Sequence, residues 1–270
     1  MKKLFLVTGL LFFAIVVFGQ DSKEANTKMD AFASKTGVII KFVDYALPNL
    51  DLTYGADVTK VGQREQKGDC IAISKTGDTL RNTFAKGPEG WCSYDYHWSI
   101  VADGRNIFIL TTWQRHGGPA DAGYVWTDHR RWSADTPENP LSILPLLFYR
   151  SWVNEDPIDL RNAEVSVYLR GDNLRLDGAK CLFWVHGAGG RWHLNSQPLT
   201  IADGEWGSEP VRFALPDDES LWHHSWPRDH NSQPLSQVLG AAYSYGFSFI
   251  GFSNLVTGRL SMSQFEIRLP

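Results

Sequence analysis

The stretch that most constrains the fold is Cys181–Asn195, CLFWVHGAGGRWHLN, two apolar-rich arms around a glycine-rich centre. Side chains of a strand alternate between two faces, and directly opposed residues of a hairpin share a face. With Gly187–Gly190 as the turn, His186 opposes Arg191, Trp184 opposes His193, and Leu182 opposes Asn195. One face then carries Cys181, Phe183, Val185, Trp192 and Leu194, which must be buried against a second layer. The other carries Trp184, His186, Arg191, His193 and Asn195. A solvated face usually shows Lys, Glu, Thr and Ser. This one offers an indole, two imidazoles, a guanidinium and an amide, groups suited to flat, hydroxyl-rich ligands. The competing reading is a second face packed under another part of the chain.

Short strands and turns run through the rest of the sequence. Strands are predicted at Thr36–Tyr45, Cys70–Ser74, Trp91–Val101, Asn106–Gln114, Leu146–Val153, Val165–Arg170, Gln197–Ile201, Val211–Leu215, Tyr243–Phe252 and Leu260–Leu269. Turn residues fall at Lys75–Asp78, Lys86–Gly90, Gly171–Asn173 and Ala202–Glu205, and Leu235–Ala242 fits a short helix. Arg115–Pro145 and Pro216–Pro234 read as long loops, the first rich in rings and charges, and loops of that length tend to be functional. Many strands with few helices indicate an all-β fold, an antiparallel β-sandwich of jelly-roll type with long aromatic-rich loops. Its last strand is expected to pair beside Thr36–Tyr45 and protect an edge. Residues 20–35 read as a tail and 36–270 as a single sandwich domain, the alternative being two sandwiches divided near 135–157. If Val165–Arg170 neighbours the hairpin, Tyr168 and Arg170 extend its decorated face.

Lys2 and Lys3 precede an apolar run from Leu4 to Phe18 that ends at Gly19-Gln20, the pattern of a secretory signal peptide over residues 1–19. The run is short for a membrane span, so export to the periplasm or beyond, without stable membrane insertion, is expected. Removing the two lysines takes the formal net charge from −4 to −6, with no basic footprint for nucleic acid. Cys70, Cys92 and Cys181 make an odd number. An exported compartment permits Cys70–Cys92, whereas Cys181 lies on the apolar face and reads as a buried thiol.

Ile158-Asp159-Leu160, Asp203-Gly204-Glu205-Trp206, Ser244–Phe249 and Gly258–Ile267 punctuate the second half in a way that resembles the galactose-binding-like jelly roll of many carbohydrate-binding modules. The resemblance covers Ile158–Pro270. It implies a sandwich that binds sugar on a sheet face or in end loops, often with a structural calcium, and it transfers no ligand residue.

All 8 His lie between His97 and His230, and most adjoin Trp, Tyr or Arg. Rings stack on the apolar faces of sugars while Arg, His and Asn bind hydroxyls or carboxylates, so carbohydrate is the expected partner, with Trp126 and Trp132 of the first long loop joining the hairpin face. Core and rim packing is the bland alternative for the same residues. Neither HExxH nor paired CxxC is present, so no metal site and no cofactor is expected, apart from a structural calcium in an Asp- and Asn-rich loop. A polysaccharide lyase needs a base and a group that neutralises a uronate, and Arg115, His116, Tyr124, His129 and Arg131 supply those types. A glycoside hydrolase needs two flanking carboxylates, for which Glu205, Glu209, Asp217, Asp218, Glu219 and Asp229 are candidates. A structural module that meets another protein through its aromatic surface is the third class.

Overall fold

The structure, a computed structural model, describes residues 74–76, 78–95, 107–129, 132, 142–150, 155–187, 190–225, 233–254 and 256–270. Its strands are β1 (Ser74–Thr76), β2 (Thr79–Asn82), β3 (Trp91–Asp95), β4 (Ile107–Leu110), β5 (Thr112–Gln114), β6 (Tyr124–Asp128), β7 (Ser142–Tyr149) and β8 (Glu164–Arg175). There follow β9 (Lys180–Gly187), β10 (Gly190–Leu194), β11 (Ala202–Asp203), β12 (Val211–Ala214), β13 (Trp222–Ser225), β14 (Ser244–Ile250) and β15 (Thr257–Arg268). Among the described residues one short α-helix, α1 (Leu235–Gly240), lies where the sequence placed it.

These strands form two sheets. In sheet A, β15 is the axis: it pairs with β8 on one side and, on the other, with β6 through Arg259–Met262 and β2 through Phe265–Arg268. Strands β5 and β1 extend those two edges, and β12 and β11 lie beyond β8. Sheet B runs β13-β10-β9-β14-β7-β3-β4. Among the described residues every pairing is antiparallel except the two-residue contact of β11 with β8. The fold is an all-β jelly-roll sandwich.

The apolar set of the hairpin faces inward as expected. Phe183, Val185 and Cys181 meet Phe247, Tyr245 and Phe249 across the β9–β14 ladder, all buried. Trp91 sits among Phe148, Phe247 and Phe265, the last at 4.8 Å centroid to centroid, so rings of both sheets interlock. From sheet A come Val165, Val167, Leu169, Leu260, Met262 and Ile267. Cys181 is 1% exposed, and burial pushes its thiol up to about 12.

Several expectations need correction. Asn106–Gln114 is two strands in different sheets. At the crossing, the Thr111 backbone N–H and hydroxyl both donate to the Trp91 carbonyl, each at 3.1 Å, which turns the chain from sheet B into sheet A. Arg115–Pro145 is not one irregular loop, because Tyr124–Asp128 is β6, a strand held between β5 and β15. Trp132, beyond the end of β6, is packed inward and offers no ring to a ligand: it is 8% exposed, its Nε1 donates to Thr127 Oγ1 at 2.8 Å, and its ring packs on Phe249. Gly171–Asn173 does not end a strand. It lies inside β8 at a bulge, where Asn173 adopts a φ of 51° and Gly258 of β15 comes so close that a Cβ would meet the Asn173 carbonyl at 2.3 Å. Gln197–Ile201 is not a strand, and Trp222–Ser225, inside the second expected loop, is one. The last strand is central in sheet A; Thr36–Tyr45, its expected partner, lies outside the described residues, as does Cys70.

Candidate functional site

Within the hairpin, Gly187 pairs with Gly190, His186 with Arg191 and Trp184 with His193, as the alternation requires. Asn195 departs from it: β10 ends at Leu194, and Asn195 turns away, exposed, with its N–H donating to the Leu221 carbonyl. The polar side of the hairpin is also closed. Trp184 is 1% exposed, Arg191 5% and His193 0%. The Arg191 guanidinium lies 5.1 Å from the centroid of the Trp184 ring, and Trp184 Nε1 donates to the Phe247 carbonyl. Ser248 Oγ donates to the Leu182 carbonyl, so the His193 Nδ1–H is the donor in its 2.8 Å contact with that hydroxyl. Burial, reinforced by the Arg191 charge, pushes His186 down to about 3 and holds His193 well below the usual imidazole range. Both imidazoles are thus neutral beside the Arg191 charge, and Trp184, Arg191 and His193 are closed to a ligand.

Tyr168 and Arg170 do not extend that layer. Strands β8 and β9 follow one another in sequence but belong to opposite sheets, so these residues occupy the outer face of sheet A, on the far side of the molecule. There they meet Tyr124 and Trp126 of β6 and Arg259 of β15, because β6, β15 and β8 are neighbours. The Arg170 guanidinium sits 5.3 Å from the Tyr124 ring centroid and 4.6 Å from that of Trp206, and the two rings meet edge to face at 5.5 Å. Asp172 receives Arg170 at 3.2 Å and lies 3.8 Å from Arg259, whose guanidinium covers the Trp126 ring at 4.1 Å. Trp126 is 1% exposed, so this half of the face is a closed stack of rings and guanidiniums.

The other half is open. Strand β15 changes partner from β6 to β2 between Met262 and Phe265, and a bulge sits at that exchange: Ser263 opposes Tyr168 while Glu266 opposes Ser166. Gln264, the extra residue, takes a left-handed φ of 48°, which lets Met262 and Phe265 both point into the core. Its side-chain amide donates to the Pro119 carbonyl at 3.1 Å, and Ser263 Oγ donates to the Gly123 carbonyl at 2.7 Å. These bonds tie the 115–123 turn upright beside the bulge. The result is a groove of about 610 Å³. Ser166, Tyr168, Glu266 and Arg268 form its floor, Arg81, Asn82 and Thr83 one side, and Glu209, Pro210 and Arg212 the other. Tyr168 is half-buried.

One side of the groove hangs on a buried acid. Glu89, 5% exposed, accepts Asn82 Nδ2 at 3.1 Å and the Thr83 hydroxyl at 3.4 Å, and desolvation by burial pushes its carboxyl up to about 7 against those hydrogen bonds.

The residues expected to serve a lyase do not gather at the groove. Arg115 lies over the Trp113 ring at 5.5 Å, and His116 Nδ1 contacts Asp121 at 3.1 Å on an exposed turn. Tyr124 is under Arg170, His129 Nδ1 receives the Gly258 N–H at 3.2 Å, and Arg131 lies outside the described residues. Of the expected hydrolase acids that are described, only Glu209 lines the groove, and Asp229 lies outside the described residues. Asp218 and Glu219 are spent on Ser220 and on the Leu235 N–H at the start of α1. The groove residues Arg81, Arg212, Gln264 and Glu266 carry no sequence motif, and what could have marked Glu266 and Arg268 is their alternation with Phe265 and Ile267. Among the described residues no three His, Cys, Asp or Glu side chains gather to hold a metal ion, and no helix is long and apolar enough to cross a membrane.

No protein-family model matches the sequence, and no curated protein matches it. Solved structures of similar shape include the family 11 carbohydrate-binding module from Clostridium thermocellum in complex with a β-1,3-1,4-mixed-linked tetrasaccharide, at a TM-score of 0.36 and 10% identity over 58% of this chain and 82% of that one. The K1 cleaved adhesin domain of Lys-gingipain from Porphyromonas gingivalis matches at 0.34 and 13% identity over 72% and 99%. The L4b domain of human laminin alpha-2 matches at 0.35 and 9% identity over 71% and 98%.

Proposed function

We propose that this chain is an exported carbohydrate-binding β-sandwich protein and that glycan lies in the groove on the outer face of sheet A. The observation that carries the reading is the position of Tyr168, a half-buried ring on the floor of an open groove otherwise lined by amide, hydroxyl and charged side chains. A sugar ring has an apolar face of C–H groups and a rim of hydroxyls. A tyrosine ring takes the first, and Thr83 and Glu209, both exposed in the lining, are placed to take the second. The volume falls inside the roughly 300–1,000 Å³ of ordinary ligand sites. Binding is favoured over turnover because Glu266, a carboxylate on the groove floor, is held by Arg81 at 2.7 Å, and none of Arg115, His116, Tyr124 and His129 reaches the groove.

The reading is tested on a glycan array followed by affinity electrophoresis with whatever polysaccharides score. Tyr168→Ala is expected to weaken retention about tenfold, equal to about 1.4 kcal/mol, with the melting temperature little changed. A wild-type protein that binds no glycan, or a Tyr168→Ala protein that binds like wild type, would remove the groove from the account. Export rests on the Met1–Gly19 pattern. It is tested by N-terminal sequencing of protein recovered outside the cytoplasm, which should begin at Gln20.

A further inference from the structure

We infer that the groove is built for an acidic glycan, whose carboxylate is received by Arg212 above Ser166 while the sugar ring lies on Tyr168. The inference rests on the carbohydrate reading above and narrows its ligand class. At one level of sheet A the ladders place Arg81, Glu266, Ser166 and Arg212 side by side on β2, β15, β8 and β12. The charges in that row are unequally served. Glu266 takes Arg81 Nε at 2.7 Å and lies 3.6 Å from Arg268, which also reaches Glu164 at 3.9 Å. One carboxylate is thus shared by two guanidiniums.

Arg212 stands across the gap left by the small Ser166, exposed, and among the described residues no hydrogen bond or ion pair engages its guanidinium. The lining as a whole carries Arg81, Arg212 and Arg268 against Glu209 and Glu266, one positive charge in excess. This excess stands out on a chain with a formal net charge of −4. Tyr168 is two residues from Ser166 on the same face of β8, a separation of about 7 Å along a strand. That matches a sugar ring on the tyrosine with its exocyclic carboxylate over the serine. A guanidinium receives a carboxylate through two parallel N–H donors, and the Ser166 hydroxyl can add a third.

The experiment titrates the full chain with polygalacturonate, alginate and hyaluronan, each beside its carboxyl-reduced neutral form, by isothermal calorimetry. Wild type is expected to bind at least one acidic polymer ten-fold or more tighter than its reduced partner. Arg212→Gln should abolish that preference, weakening the acidic polymer ten-fold or more and the reduced polymer far less, and Arg212→Lys should restore only part of it. Unfolding curves of both variants control for folding. Equal binding of acidic and reduced polymers by wild type would overturn the acidic assignment and leave the carbohydrate reading standing. Absence of binding to every form would overturn the carbohydrate reading itself. Binding to dextran sulfate as tight as to the uronates and indifferent to Tyr168→Ala would mean general attraction of polyanions, and would also overturn the inference.

Discussion

Replacing Glu89 by Gln should stabilise the protein above neutral pH and leave it nearly unchanged in acid. The carboxyl is 5% exposed, and burial raises it from an ordinary 4.5 to about 7. Between those two values the unfolded chain has released the proton and the folded chain still holds it. Stability therefore falls as pH rises through that window, and it is fully present only below 4.5. At about 1.4 kcal/mol per pH unit the loss amounts to about 3 kcal/mol. Gln is close in shape to the protonated acid and carries no charge to bury. Its amide oxygen still accepts from Asn82, while its NH2, like the protonated oxygen of the acid, is a poor partner for the Thr83 hydroxyl and for the backbone N–H groups of Thr83 and Phe84.

Urea unfolding followed by tryptophan fluorescence at pH 4, 6, 7 and 8.5 reads the difference directly. The two proteins should unfold together at pH 4. By pH 8.5 the Gln variant should be ahead by about 3 kcal/mol, which is a midpoint shift of about 1 M urea at an m-value of about 3 kcal/mol/M. His186 and His193, whose depressed values cost stability as pH falls below about 6.5, act equally in both proteins and cancel in the difference. A difference that does not change with pH would refute the reasoning, because it would mean that the hydrogen-bond donors around Glu89 outweigh its desolvation.

Phe247→Ala should cost about 3–5 kcal/mol by urea unfolding, since this ring is wholly buried between Trp91, Phe183 and Phe265. Gly123→Ala should cost about 2–3 kcal/mol, because its Cβ would meet the Phe84 carbonyl at 1.9 Å and displace the Trp113 Nε1 donor bound there at 2.6 Å. Arg170→Lys should lower stability by about 1–2 kcal/mol, as an ammonium cannot lie against both Tyr124 and Trp206 while reaching Asp172. Iodoacetamide labelling at pH 8, mapped by mass spectrometry, should leave Cys181 unmodified in the folded protein and modify it in urea, given a buried thiol pushed up to about 12.

What could be read from the sequence was whatever the period of two controls. Alternation gave the hairpin register at His186–Arg191 and Trp184–His193 and the inward set Cys181, Phe183, Val185, Trp192 and Leu194, because a slip by one residue would turn that set to solvent. Alternation has no sign for the second face, however. It says that Trp184, Arg191 and His193 share a side, and it cannot say whether that side is open. The residue types that suggested a ligand are also those that satisfy one another when buried, as Arg191 over Trp184 and His193 against Ser248 do.

The groove was hidden for a different reason. It depends on which strands are neighbours, and neighbours in sheet A come from distant parts of the chain: β2, β15, β8 and β12 in order across the groove floor. It depends as well on one residue, Gln264, whose bulge shifts the phase of β15 at the point where β6 gives way to β2. Upstream of it Leu260 and Met262 face the core; downstream Phe265 and Ile267 do, with Glu266 and Arg268 turned outward. Without that extra residue the strict alternation would put Glu266 and Arg268 inside and leave the floor of the groove apolar. The pattern Met262-Ser263-Gln264-Phe265 thus holds the only local trace of the site, two polar residues where an unbroken strand has one. Its meaning depends on the strands beside it, which is why a site built from ordinary surface residues reads in sequence as nothing more than the end of the last strand.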